Sequence, residues 1–131
     1  MRGLVAAVAR QGVFLAALSL SAWMPVAVGG QCDHTSAIID VAPGSLPQEA
    51  RRTILLIQQG GPFPFAPKDG SIFGNFERRL PVRARGYYHE YTVPTPGRTD
   101  RGARRIVSGG IAREFFYSDD HYRSFRHVLF P

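Results

Sequence analysis

Thiol chemistry is almost missing from this chain: Cys32 is its one cysteine, which excludes an intramolecular disulfide and a thiolate metal cluster. Packing alone must therefore hold the fold. Cys32 reads as a free thiol near a terminus, with an intermolecular pair as the alternative. No His-x-x-x-His or Cys/His pairing occurs, which argues against a metal site. No internal repeat, low-complexity tract or interdomain linker interrupts the 131 residues, so one domain is expected. Lysine is nearly absent too. All but Lys68 of the 16 positive charges are arginine, against 10 acidic residues and a formal net charge of +6. Arginine favours planar, forked contacts with phosphate or carboxylate, so a polyanionic partner is favoured, although basic balance by itself identifies none. With 44% hydrophobic and 11% aromatic residues the chain can build a packed core, so disorder is not the default expectation.

The first thirty residues lack acidic side chains, carry Arg2 and Arg10, and hold an apolar stretch from Val13 to about Trp23. That stretch is shorter than the roughly 20 residues a membrane span needs, and small residues follow at Ala27, Gly29 and Gly30. Residues 1–30 are read as a cleaved secretory signal and 31–131 as the mature domain. The product would be extracellular, free of the membrane, and would carry 14 basic residues against 10 acidic, a formal +4. Gln31 stands where a lipoprotein site needs a small residue, which argues against lipidation of Cys32.

Residues 31 to about 40 read as a polar lead-in. Ser45-Leu46-Pro47-Gln48 has the form of a capping box, and Leu46, Ala50, Ile54 and Ile57 recur at helical spacing before Gly60-Gly61-Pro62. A helix is predicted over 46–59. Short aromatic and β-branched runs follow at 72–75, 87–93, 104–108, 114–117 and 122–129, the last two joined through Ser118-Asp119-Asp120. One helix followed by strands predicts an α+β fold, with a single N-terminal helix packed on a twisted antiparallel β-sheet.

Period-two alternation in the strand around Glu90 sends Tyr88, Glu90 and Thr92 to one face and Tyr87, His89, Tyr91 and Val93 to the other. A mid-strand carboxylate among aromatics is costly unless a cation or donor meets it. A structural ion pair is the plain explanation. Arg101, Arg104 and Arg105 crowd five residues, and alternation lets at most two, Arg101 and Arg105, converge on one site. A solvated basic turn is the alternative; converging guanidiniums would bind phosphate. His121 follows Asp119 and Asp120 in a turn that could project an imidazole into a cleft, with neighbouring carboxylates favouring its charged form. A surface histidine is the ordinary expectation there. A glutamate base, a histidine acid and two arginines form the set needed for metal-free transphosphorylation of RNA.

These residues resemble the microbial guanyl-specific ribonucleases, above all their streptomycete branch, which is related more distantly to barnase. The resemblance is carried by Leu46-Pro47-Gln48-Glu49-Ala50, Gly61-Pro62-Phe63-Pro64, Tyr87-Tyr88-His89-Glu90-Tyr91-Thr92-Val93, Thr95-Pro96-Gly97, Arg101-Gly102-Ala103-Arg104-Arg105-Ile106 and Asp120-His121-Tyr122. It runs from about Asp40 to Arg126. It implies Glu90 as general base, His121 as general acid, Arg101 and Arg105 on the phosphate, and Tyr122 as a phosphate contact. It also implies a guanosine 2′,3′-cyclic phosphate, hydrolysed afterwards with the two roles exchanged. The family's guanine loop falls on residues 73–78, where the Glu77 carboxylate would accept from guanine N1–H and the exocyclic amine, and Phe73 would offer a stacking face. Asn75 and Tyr88 complete the substrate-binding set. The turn alternative pairs Glu77 with Arg78 or Arg79.

The sequence departs from the family in three places. The streptomycete relatives join their ends by a disulfide for which Cys32 has no partner, a closure worth about 2–4 kcal/mol. Phe76 replaces an expected polar residue and Gly74 also differs, which would relax base preference. The resemblance implies a monomer acting on single-stranded RNA without cofactor or metal, and an acidic inhibitor of the barstar kind as partner. Two rivals stand beside the enzyme: an inactive basic RNA- or surface-binding relative, and a delivered ribonuclease toxin with a cognate inhibitor.

Overall fold

The computed structural model describes residues 37–131; the segment 1–30 expected to be a secretory signal, and Cys32, lie outside the described residues. The chain runs β1 (Ile39–Val41), a 3₁₀ turn (Pro43–Ser45), α1 (Gln48–Gln59), β2 (Ser71–Ile72), β3 (Tyr88–Thr92), β4 (Arg105–Gly109), β5 (Glu114–Ser118) and β6 (Arg126–Val128). The strands form one sheet in the order β1-β6-β5-β4-β3-β2, antiparallel throughout except for the parallel β1/β6 pair. This is the expected α+β architecture.

The predicted helix begins two residues late. Pro47 forces the residue before it out of the helical region, and Leu46 is extended at φ −79°, ψ 152°. Ser45 therefore cannot cap α1; its hydroxyl donates to the Ala42 carbonyl instead, at 2.7 Å. The C-terminal stop lies where the glycines place it, with Gly60 left-handed at φ 82° and its N–H donating to the Ile57 carbonyl.

Ala50, Ile54 and Ile57 of α1, with Leu46, pack on Val93, Ile106, Phe115, Tyr117 and Val128. This cluster occupies one face of the sheet. The opposite face carries a second cluster of Leu80, Tyr88, Val107, Phe116 and Phe125. Alternation places the residues as expected: Tyr88 and Val107 go to the second face, Val93 and Ile106 to the helix. Arg104 follows Ile106 and lies 3.9 Å from Glu49 of α1. Because Glu90 pairs with Val107 and Thr92 with Arg105 across β3/β4, all four project from the second face.

Three boundaries differ from expectation. The stretch read as a lead-in contains β1, which is held to β6 through contacts that its three residues cannot signal alone. The strand expected at 72–75 stops at Ile72, because Asn75 is left-handed at φ 48°. The strand expected from 122 starts only at Arg126, since His121 and Tyr122 have φ 58° and 69°.

Candidate active site

A cleft of about 650 Å³ opens on the second face, and Glu90, His121, Tyr122, Phe73, Asn75 and Glu77 all line it. Glu90 projects from the middle of β3 with its side chain 16% exposed. Three donors meet its carboxylate. Tyr122 donates its hydroxyl to Oε2, the Ser71 hydroxyl approaches Oε1 at 3.4 Å, and Arg101 Nη2 lies 3.6 Å from Oε1. The buried charge is thus met, as a mid-strand carboxylate requires.

Arg101 and Arg105 converge on this point. They form the layer behind Glu90 and Tyr122, which themselves line the cleft. Arg105 is 2% exposed; its Nη1 donates to the carbonyls of Arg101, Gly102 and Arg104, and its Nε to the Tyr122 hydroxyl at 3.1 Å. A guanidinium tied to three carbonyls is fixed in place before any substrate arrives. The loop that supplies them turns at Gly102, left-handed at φ 55°, where a Cβ would stand 2.9 Å from Thr95 Oγ1. Arg101 Nε donates to Thr92 Oγ1 at 2.8 Å. Its Nη2, also buried, has no hydrogen-bond acceptor among the described residues. Its one anionic neighbour among the described residues is the Glu90 carboxylate, at 3.6 Å.

The turn carrying the imidazole is built to hold a costly shape. Two consecutive non-glycine residues in the left-handed region cost about 1–3 kcal/mol each and persist only when neighbours over-determine them. Here the His121 N–H donates to the Ala103 carbonyl at 3.1 Å and the Tyr122 N–H to Ser118 Oγ at 2.9 Å. Asp120 accepts from the Ser118 hydroxyl and from both the N–H and the hydroxyl of Ser124. Burial would raise the pKa of Asp120, but these donors outweigh it and hold it below the ordinary carboxylate value. His121 itself is exposed, its ring 5.0 Å from that of Tyr122. Of its neighbouring carboxylates, Asp119 pairs with Arg126 at 2.9 Å and Asp120 holds the turn. The Tyr122 phenol is pushed up to about 12, first by burial and then by the Glu90 carboxylate it faces, so it stays a donor.

The loop residues divide between binding surface and scaffold. Phe73 stacks on Tyr122 at 5.1 Å and meets Phe125 edge-on, so one of its faces is taken. The Asn75 side chain is committed to the loop: Nδ2 donates to the Leu80 carbonyl at 2.8 Å, and Oδ1 accepts from the Leu80 N–H at 3.0 Å. Glu77 is 73% exposed and pairs with Arg79 at 2.6 Å. Tyr88, expected beside the substrate, belongs to the core instead. It is 3% exposed and donates its hydroxyl to the Pro81 carbonyl, because β3 turns it onto Val107 and Phe116. Ser71, Ser118 and Ser124 had no sequence signal, whereas Thr92 shares the face of Glu90 by simple alternation.

The ribonuclease family model matches residues 29–129, and the chain belongs to that family. Among curated relatives, the guanyl-specific ribonuclease St of Saccharopolyspora erythraea is 54% identical over 95 residues, covering 72% of this chain and 92% of that protein. The guanyl-specific ribonuclease Sa3 of Kitasatospora aureofaciens is 51% identical over 94 residues, covering 72% of this chain and 66% of that protein. The crystal structure of ribonuclease Sa2 with guanosine-2′-cyclophosphate superposes with a TM-score of 0.66 at 47% identity, over 71% of this chain and 97% of that one.

Proposed function

We propose that this chain is a guanyl-specific endoribonuclease that cleaves single-stranded RNA on the 3′ side of guanosine through a 2′,3′-cyclic phosphate, using its own side chains for the acid–base chemistry. The observation that carries this reading is the carboxylate of Glu90, held by Tyr122, Ser71 and Arg101 in the same cleft as the exposed His121. Pure binding of a polyanion gains nothing from a buried carboxylate, which repels phosphate.

In this reaction Glu90 removes the proton from the guanosine 2′-hydroxyl, and the resulting oxygen attacks phosphorus. The bond from phosphorus to the 5′-oxygen of the next nucleotide breaks, and His121 supplies that oxygen with a proton. Arg101 and Arg105 add positive charge behind the phosphate, and Arg105 also holds Tyr122 in place. Water then opens the cyclic phosphate with the two roles exchanged. The relatives named guanyl-specific support guanine as the base, with the Glu77 carboxylate accepting from N1–H and the exocyclic amine once it turns from Arg79. In the same reading residues 1–30 direct export, the mature domain acts as an extracellular monomer, and an acidic inhibitor of the barstar kind is its protein partner.

Cleavage of GpA, ApA, UpA and CpA by the purified domain in EDTA tests the proposal. Rapid conversion of GpA to guanosine 2′,3′-cyclic phosphate is expected. Equal cleavage of all four substrates refutes the guanine assignment, and no cleavage of any refutes the enzyme.

A further inference from the structure

Residues 72–76 form a ridge with the catalytic cleft on one side and a second groove, of about 420 Å³, on the other. Three arginines border this groove, Arg78, Arg83 and Arg85, with no acidic residue among its lining. None of the three joins an ion pair with the described residues; Arg83 instead lies 5.4 Å over the ring of Tyr87. Between the arginines stand apolar groups that folding leaves in water: Ile72 at 51%, Val82 at 71% and Phe76 at 95% exposure. The ridge is held by the double hydrogen bond between Asn75 and the Leu80 backbone, and the Phe76 ring lies across Gly74, where a Cβ would come within 2.3 Å of it. Phe76 therefore borders both the cleft and the groove.

We propose that this groove is a subsite for the nucleotides on the 5′ side of the cleaved guanosine. Alternating free guanidiniums and exposed apolar surface match a single strand, whose phosphates take the cations while its bases lie on the aromatic and aliphatic groups. The groove holds none of Glu90, Arg101, Arg105 and His121, so the strand leading to it runs away from the scissile phosphate. That phosphate lies 3′ to the guanosine, which leaves the 5′ side for the groove. The inference rests on the guanyl-specific reading above and assigns it a longer substrate.

The test compares kcat/KM for GpA, the 5′-extended UpUpGpA and the 3′-extended GpApU, at low and physiological salt, in the wild type and in the double variant Arg83→Gln/Arg85→Gln. Both side chains are exposed, so the variant should fold. The wild type is expected to cleave UpUpGpA about tenfold better than GpA, the scale of one or two charge-assisted phosphate contacts. That gain should shrink with salt, with a log–log slope of about 0.7 for each phosphate neutralised. The double variant should lose the gain and keep the GpA rate. If the wild type cleaves GpA selectively but gains nothing from 5′ extension, the groove assignment falls while the guanyl reading stands. If GpA is cleaved no faster than ApA, run alongside as the control dinucleotide, the guanyl reading itself has failed. A gain that survives in the double variant overturns the proposal and leaves the groove to a protein partner. A gain confined to GpApU and lost in the variant overturns the assigned strand direction.

Discussion

Replacing Glu90 with glutamine keeps the shape of the side chain and removes its charge, which separates chemistry from binding and from stability. Its proton-accepting role is worth about 10²–10⁴ in kcat for a positioned general base, so cyclisation of GpA should fall by that factor. Binding should move the other way. Arg101 Nη2 lies 3.6 Å from Glu90 Oε1, a separation at which two unit charges attract by about 4–5 kcal/mol at an effective dielectric near 20. Most of that attraction is offset by desolvation, and the net worth of the Tyr122 hydrogen bond to the charged carboxylate is about 1.5–3 kcal/mol. The variant therefore loses roughly that much stability, because Arg101 and the 2%-exposed Arg105 keep their charges without a counter-ion. At about 4–8 °C per kcal/mol for a domain of this size, the melting temperature should drop by roughly 6–24 °C. An anion bound in the cleft can supply the negative charge that the amide lacks, so inorganic phosphate should raise the melting temperature of the variant more than that of the wild type. The assays are single-turnover cyclisation of GpA, inhibition by guanosine 3′-monophosphate, and thermal melts with and without phosphate. Parallel losses of rate and of affinity for the 3′-monophosphate would refute the assignment of Glu90 as base, as would a kcat within a factor of about three of the wild type.

Tyr122→Phe keeps the stack on Phe73 but strips a donor from Glu90 and an acceptor from Arg105 Nε; kcat should fall about tenfold or more and stability by about 1–3 kcal/mol. Chemical denaturation and GpA kinetics check both, and an unchanged kcat removes the hydroxyl from the mechanism. Glu77→Ala gives up an exposed pair with Arg79, worth about 0–1 kcal/mol, so the melting temperature should barely move while the ratio of GpA to ApA cleavage collapses. Retained selectivity would place guanine recognition elsewhere. Asp120 has its pKa depressed in the folded state, so its stabilisation is present above the ordinary value of 3.8 and is lost as pH falls through the lower folded value. Asp120→Asn should flatten the fall of melting temperature below about pH 4, and an unaltered acid slope would mean the Ser118 and Ser124 bonds contribute nothing there.

Local rules carried a good part of this protein. Helical spacing at Ala50, Ile54 and Ile57, strand alternation around Glu90, and the glycine stop at Gly60 depend on the backbone geometry of a few neighbouring residues, and the structure keeps all three. The same alternation placed Glu90 and Thr92 on one face of β3 and Arg105 and Val107 on one face of β4, because a period of two fixes sides without any knowledge of the partner strand. The register between strands was decided only in three dimensions. Pairing Thr92 with Arg105 and Glu90 with Val107 is what brings guanidiniums behind a carboxylate that comes many residues earlier in the chain. Tyr88 shares that face yet is buried, since alternation tells the side of a residue and not whether Leu80 and Phe116 cover it. The strands expected at 72–75 and from 122 were cut short by left-handed residues that are not glycine: Asn75 and His121, whose residue types visit that region more often than most, and Tyr122, whose type does not. Those conformations are unfavourable on their own, and only distant partners, the Leu80 backbone, the Ala103 carbonyl and the Ser118 hydroxyl, make them the lowest state.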